Sequence, residues 1–455
     1  MSAPDSDAFC PLEYRYGRDE VRAIFSRRAR LARALQIEAT LARVEGDLGL
    51  IPAEGAEAIG RAASDGSVTL ERVEALEREL QHDVMAMTRA LAERSGIGAG
   101  WVHFGATSND VTDTALGLEL KESARILDGD LRRLGRALLE LAKTHRSTAE
   151  VGRTHGQHAV PLSFGYKMAV GAAEIQRHRR RLSEILPRLA VGKMSGAVGT
   201  GAGFGVQAAD VEAKVLDRLG LTPDEAPTQI VGRDRLAEFM GFLALTASSC
   251  ERLATELRNL QRSEIQEVQE PFDEARQVGS STMAQKRNPM ASENVTSLAR
   301  LVRALAAPSL ENMVQWHERD LSNSANERIA LPHAVVLTDD LLQKLARVFE
   351  HLTVDPAQMA RHLASSGGLL LTESLMLELT RRGLPRSEAH ELLRTLTRGA
   401  GPSDAFAARA RADPTILRFL RPDEVDRLLE PTEYVAAAAA KTDAIVRRLA
   451  PELER

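Results

Sequence analysis

The stretch ALGLELKESARILDGDLRRLGRALLEL, residues 115–141, sets Leu116, Leu120, Ala124, Leu127, Leu131, Leu134, Leu138 and Leu141 at steps of three and four. Side chains so spaced share one face of an α-helix, so the stretch reads as an apolar stripe on a long helix. Leu236, Phe239, Met240, Leu243, Ala247, Cys250, Leu253, Leu257 and Leu260 repeat the pattern. At 1.5 Å per residue, stripes of about 25 residues predict helices on the order of 40 Å, rods that hide their apolar faces by packing into a bundle.

Outward from these stripes the periodicity stays helical. No segment alternates as a strand between turn signals, and aromatic residues make up only 4% of the chain, poor material for a large sheet. The chain therefore reads as all-α in three parts. Residues 1–109 alternate shorter helices with polar turns such as Ile51-Pro52 and Ser64-Asp65-Gly66, and residues 110–350 carry the long helices. Residues 351–455 return to short helices, broken at Gly367-Gly368, Gly383-Leu384-Pro385 and Gly399-Ala400-Gly401-Pro402. The Ala436 to Ala440 run is strong helix former.

Composition narrows the function. Of 455 residues 44% are hydrophobic, which excludes a disordered protein. A formal charge of −5, from 59 basic and 64 acidic residues, lacks the basic footprint of a nucleic-acid binder, so an anionic ligand needs a local cluster of cations. Cys10 and Cys250 form no disulfide framework or CxxC site, and a reducing cytosol fits. Met1 to Ala8 has no apolar core, so no secretory signal is expected there, and no run approaches the ~20 apolar residues of a membrane span.

The chemistry concentrates in GSSTMAQKRNPMASEN, residues 279–294, which puts hydroxyls, a cation, an amide and a carboxylate into one connection. Small residues suit close approach to a ligand, Lys286 and Asn288 alternate so that both face one anionic centre, and Pro289 reads as the first residue of the next helix. Read alone, the same stretch is also compatible with a solvated helix connection. RTHGQHAVP, residues 153–161, sets His155 and His158 three apart. A metal site on a helix prefers histidines four apart with a further ligand and no HExxH occurs, so an acid or base role is the better functional reading and no metal is expected.

Gln81-His82-Asp83 sits in a helical pattern, and Thr107-Ser108-Asn109-Asp110 reads as the cap of a long helix starting near Val111. Capping and anion binding both use exposed N–H groups at a helix start. Gly196 to Gly205 is glycine-rich but lacks the dinucleotide fingerprint and the Walker lysine, which makes it a close-approach loop; no cofactor is expected. In residues 316–328, Arg319, Ser324 and Arg328 suit a phosphate or carboxylate, while Glu318, Asp320 and Glu327 allow an ion-paired solvated face instead.

These segments, in this order from Arg15-Tyr16 to about Arg328, resemble the aspartase/fumarase superfamily and, within it, the adenylosuccinate lyase family. The resemblance implies a helical fold with a central bundle and β-elimination from a succinyl compound with release of fumarate, acting on adenylosuccinate to give AMP and on SAICAR to give AICAR. It implies Ser280 as base, Lys286 and Asn288 as stabilisers of the carbanion, His155 as general acid and Glu293 as its carboxylate partner. It implies substrate contacts from His82, Asp83, Thr107, Ser108, Thr154, Gln229, Ser281 and Met283, with Arg15, Tyr16, Arg319, Ser324 and Arg328 matching positions that hold a nucleotide phosphate. It further implies a cytoplasmic homotetramer whose active sites are shared between subunits. Two positions depart from the family's pattern. Met283-Ala284-Gln285-Lys286 stands where Pro and then His or Tyr are usual, with Gln285 similar to argininosuccinate lyases, and Leu236 follows Arg233-Asp234-Arg235 as in carboxymuconate cycloisomerases. Alternatives on the same scaffold are a nitrosuccinate lyase-like enzyme, a cycloisomerase and a catalytically silent helical scaffold.

Overall fold

The computed structural model describes residues 9–398 and 404–454; Met1 to Ala8 and the expected break at Gly399-Ala400-Gly401-Pro402 lie outside them. The elements that carry the argument are α1 (Arg27–Asp47), α2 (Asp83–Arg94), α3 (Ser108–Thr144), the strands β1 (Ala149–Thr154) and β2 (Gln157–Ser163), α4 (Phe164–Leu189), α5 (Asp234–Leu260), α6 (Met290–Glu311), α7 (Ser324–Glu350) and α8 (Pro356–Ala364). The first stripe lies on α3, whose 37 residues span roughly 55 Å. Leu131, Leu134 and Leu138 on it are fully buried, and every residue of the second stripe, on α5, is buried. Caps follow local chemistry: Ser26 Oγ accepts the Ala29 N–H at the start of α1, and Asp355 accepts that of Gln358, with Pro356 at the first helical position of α8.

The chain groups into two compact units, each assembled from three stretches. The first takes Met1–Asp130, His178–Cys250 and Ser297–Leu342. Within it, Ile37, Leu41 and Val44 of α1 join Ile59, Leu76, Leu91, Phe204 and Val215 in one apolar core. Burying side chains of this kind stabilises by about 1.5–3 kcal/mol each. The second unit takes Leu131–Arg177, Glu251–Thr296 and Gln343–Arg455, and Leu375, Leu379, Phe406, Ile416 and Val425 form a core among its short helices.

Local departures from the sequence reading are few. The chain is mainly helical, but β1 and β2 form an antiparallel hairpin, and two-residue pairings join Val191–Gly192 to Thr222–Pro223 and Val268–Gln269 to Thr353–Val354. Helix α3 begins at Ser108 and α6 at Met290, so Pro289 precedes its helix, although its carbonyl accepts the Glu293 N–H and starts the ladder. Gln81-His82-Asp83 is a helix break. Helix Leu70–Leu80 ends with Gln81 at φ 53°, and His82 caps α2 by accepting the Met85 N–H at Nδ1, 3.3 Å.

Candidate active site

His155 stands at the tip of the β1–β2 hairpin. Thr154 pairs with Gln157, leaving a two-residue turn in which His155 has φ 55° and Gly156 φ 75°. Positive φ at both central residues fits the twist of a tight hairpin; glycine adopts it freely, whereas histidine pays a local cost and is held out to solvent. The pairing register shifts between Val151 and Arg153, a bulge at Gly152, where a Cβ would lie 2.4 Å from the Val160 carbonyl oxygen. Below the tip, Arg153 donates two hydrogen bonds to Glu267, at 2.7 and 2.8 Å, and the Glu267 carboxylate also lies 2.6 Å from His362 Nδ1 on α8. Glu267 is fully buried; burial raises the cost of its charge, but Arg153 and His362 outweigh this and hold it below the usual carboxylate range. His158 sits on β2 with its ring 6.5 Å from that of His362, and desolvation together with the Arg153 cation pushes its imidazole below the usual range.

Ser280 belongs to the long connection before α6. Its Oγ accepts the backbone N–H groups of Thr282, 3.3 Å, and Met283, 3.1 Å. The loop folds back on itself: Asn288 Nδ2 donates to the Gly279 carbonyl at 2.9 Å, and a Cβ on Gly279 would meet the Lys286 carbonyl oxygen at 2.0 Å. Arg287 stacks over Phe272, 5.3 Å to the ring centre, and pairs with Glu274 at 2.6 Å. The start of α6 is occupied by Glu270, which accepts the Ala291 and Ser292 N–H groups, so the amides that reach Ser280 come from the loop and not from the helix. Ser281, Met283, Lys286 and Glu293 are exposed, as is Thr154 on β1. Among the described residues the side chains of His155, Lys286 and Glu293 have no hydrogen-bond or ion-pair partner, and His155 and Glu293 are not paired within one chain.

The remaining candidates lie in the first unit. Thr107 and Ser108 are half-buried at the start of α3, where Asp110 accepts the Thr107 N–H at 2.8 Å. Asp110 is fully buried, ion-paired with the fully buried Lys193, and accepts the N–H groups of Ser195 and Gly196. This draws the glycine-rich loop close: a Cβ on Gly203 would lie 2.8 Å from the Gly105 carbonyl oxygen. Asp113, one turn on, accepts two hydrogen bonds from Arg233 at 2.7 and 3.1 Å, and Arg233 Nε donates to Glu327 of α7 at 3.0 Å. Burial disfavours the Arg233 cation, yet these two carboxylates reverse the effect and raise its pKa.

Arg233 thus ties the starts of α3 and α7 to the loop that carries Gln229. Gln229 accepts from Arg319 at 2.9 Å and donates to the Ala197 carbonyl at 3.0 Å. Arg328 pairs with Asp83 at 2.8 Å, beside His82; burial raises the cost of the Asp83 charge, and the Arg328 bond still holds its carboxyl low. Arg15 lies over the Tyr16 ring, 5.9 Å to its centre, and Gly17 N–H donates to Asp340 of α7 at 3.1 Å. Arg18 binds Asp130 and Asp339, so α7 carries Ser324 and Arg328 near its start and meets the segment after Arg15-Tyr16 about three turns beyond Arg328.

Asp113, Lys193, Glu267, Glu270 and His362 were absent from the sequence reading, where Asp110 figured only as part of a helix cap and Arg233 only beside the Leu236 departure. Only Asp110 had a local signal, the three-residue spacing of a capping box from Thr107. Among the described residues no group of three or more His, Cys, Asp or Glu could hold a metal ion, and no helix is long and apolar enough to cross a membrane.

A family model described as lyase matches residues 13–304, and one described as adenylosuccinate lyase C-terminus matches residues 368–445. An adenylosuccinate lyase of Pyrococcus abyssi is 44% identical over 446 residues, covering 98% of each chain. Among solved structures, a fumarate lyase from Mesorhizobium superposes with TM-score 0.87 at 30% identity, over 94% of this chain and 98% of that one. A 3-carboxy-cis,cis-muconate lactonizing enzyme from Pseudomonas putida gives TM-score 0.84 at 32% identity, over 95% of this chain and 97% of that one. The mainly helical chain, with its serine loop and histidine hairpin, belongs to the adenylosuccinate lyase family within the fumarase/aspartase-like lyases.

Proposed function

We propose that this enzyme cleaves adenylosuccinate to AMP and fumarate, and SAICAR to AICAR and fumarate, with Ser280 and His155 dividing the two proton movements. Ser280 Oγ, as alkoxide, removes a proton from the substrate carbon next to a carboxylate and β to the leaving nitrogen. The electron pair passes into that carboxylate as an aci-carboxylate, then returns to form the C=C bond of fumarate as the C–N bond breaks. His155 gives its proton to the departing nitrogen. The observation that carries the reading is the pair of amides on Ser280 Oγ, in the loop that also bears Lys286 and Asn288. Such donors favour the alkoxide and, with the Lys286 ammonium, the doubly charged intermediate.

His82, Asp83, Thr107, Ser108, Thr154, Gln229, Ser281 and Met283 contact the succinyl and base portions of the substrate, and Arg15, Tyr16, Arg319, Ser324 and Arg328 hold its phosphate. The Gln229–Arg319 and Asp83–Arg328 pairings support this grouping. Glu293 orients His155 from a neighbouring subunit, which accounts for both being unpaired in one chain. Exposed Leu245 on α5, Leu301 and Leu310 on α6 and Ile329 on α7 support burial of the long helices in a homotetramer with shared sites. The reading places the enzyme in purine biosynthesis in the cytoplasm, with residues 1–109, 110–350 and 351–455 as its three parts.

A cycloisomerase is the second reading, favoured by Leu236. That residue is buried in the apolar stripe of α5, where it adds packing and brings no titratable group. The test is fumarate release from adenylosuccinate, argininosuccinate and nitrosuccinate side by side, with carboxymuconate lactonisation as a fourth assay. Turnover of adenylosuccinate is expected; turnover of carboxymuconate alone would overturn the reading.

A further inference from the structure

We propose that Glu267 is a positioning residue for catalysis, fixing the hairpin that presents His155 by clamping Arg153 on one side and His362 on the other. The inference rests on the reading of His155 as the general acid. His155 is two residues beyond Arg153, about 7 Å along the strand, so the orientation of the turn follows from where Arg153 is held. Three features make the hold directional. Arg153 meets Glu267 through two parallel N–H groups, a geometry that fixes a plane as well as a distance. His362 approaches the same carboxylate at 2.6 Å while its other ring nitrogen lies 2.9 Å from Gln358 Nε2 of the same helix. The Glu267 backbone is fixed too, since its carbonyl accepts the Asp355 N–H at 2.9 Å and its own N–H donates to the Leu260 carbonyl at 3.0 Å.

The hairpin itself contributes little rigidity at that end. Its tip residues, Thr154 to His158, are exposed, its register is interrupted at Gly152, and His155 occupies a backbone region that non-glycine residues seldom adopt. Packing serves the other end, where Val151 is fully buried and Pro161 is buried. An ion pair as buried as Glu267 is a weak source of stability, because desolvation consumes much of the Coulomb gain, but it specifies direction in a way apolar contacts do not. A displaced acid costs more in rate than in binding, since Thr154 alone of the residues assigned to the substrate shares the turn, and that split separates this role from a general structural one.

The test is steady-state cleavage of adenylosuccinate by Glu267→Gln, Arg153→Lys and the double variant, with unfolding midpoints measured on the same samples and His155→Ala run alongside. Glu267→Gln is expected to lower kcat on the order of 10- to 10²-fold with KM within about 2-fold. Arg153→Lys, which keeps the charge and loses the fork, is expected to fall less, and the double variant no further than Glu267→Gln, because both changes break one clamp. Wild-type kcat in the single variants, a rise in KM matching the fall in kcat, or fully additive losses would overturn the proposal. If Glu267→Gln does not fold, Arg153→Lys decides by the same split between kcat and KM. Full turnover by His155→Ala would instead remove the acid assignment, whereas an inactive His155→Ala beside fully active clamp variants would remove only the inference about Glu267.

Discussion

The two units treat their polar residues differently. In the first, the residues assigned to substrate binding already hold one another: Gln229 with Arg319, Asp83 with Arg328, and the starts of α3 and α7 through Arg233. In the second, three of the five groups assigned to chemistry, His155, Lys286 and Glu293, are exposed and have no side-chain partner among the described residues, while Ser280 and Asn288 bond only within their own loop. Binding groups that pair in advance are pre-organised and lose little entropy when a ligand arrives. Chemical groups left without partners must be completed by the substrate or by another copy of the chain.

The sharpest way to break this contrast is to remove a chemical group. Ser280→Ala or His155→Ala should lower kcat on the order of 10²- to 10⁴-fold with substrate affinity nearly intact, as loss of a general base or acid does; stopped assays with equilibrium binding check both halves. In the binding unit the largest effect should fall on folding. Arg233→Ala leaves the buried Asp113 and the half-buried Glu327 without their cation and should cost about 3–5 kcal/mol in denaturant unfolding. A loss under 1 kcal/mol would mean that the network does not hold the starts of α3 and α7 together. Arg328→Ala should raise KM about 10-fold for the phosphorylated substrate with little change in kcat, since one charge-assisted contact of about 1.5–3 kcal/mol is lost. An equal fall in kcat would move Arg328 from binding to chemistry.

The smallest effect concerns a buried carboxyl away from either group. Burial, with help from Glu38, pushes the Glu45 carboxyl up to about 8, and neither oxygen has a partner among the described residues. A carboxyl whose folded pKa is raised binds its proton more tightly when folded. Its contribution is complete below the unfolded value near 4.5 and is lost as the pH rises through about 8. Glu45→Gln should therefore stabilise the protein at pH 8 by about 1 kcal/mol or more and change little at pH 4. Equal unfolding midpoints of the two proteins at pH 8 would contradict this.

The sequence carried the long helices because their apolar stripes are local signals with a helical period, and all nine positions of the second stripe are indeed buried. It concealed the hairpin because β1 and β2 are short and lie on either side of a polar turn, so alternation never runs long enough to outweigh the helical background. Tip residues such as His155 and loop residues such as Ser280 stood out through unusual local chemistry and through resemblance. The clamps beneath them did not, since Arg153, Glu267 and His362 are far apart in the chain and meet only after folding. The same holds for Arg233, whose partners Asp113 and Glu327 are 120 and 94 residues away.

The most direct test of the central claim is complementation between inactive chains. Ser280→Ala and His155→Ala enzymes are mixed, dissociated and reassociated, and fumarate release from adenylosuccinate is followed. Hybrids should recover activity well above either parent, because some sites would combine an intact serine from one chain with an intact histidine from another. If the mixture stays as inactive as its parents while native oligomers re-form, Ser280 and His155 do not come together from different subunits.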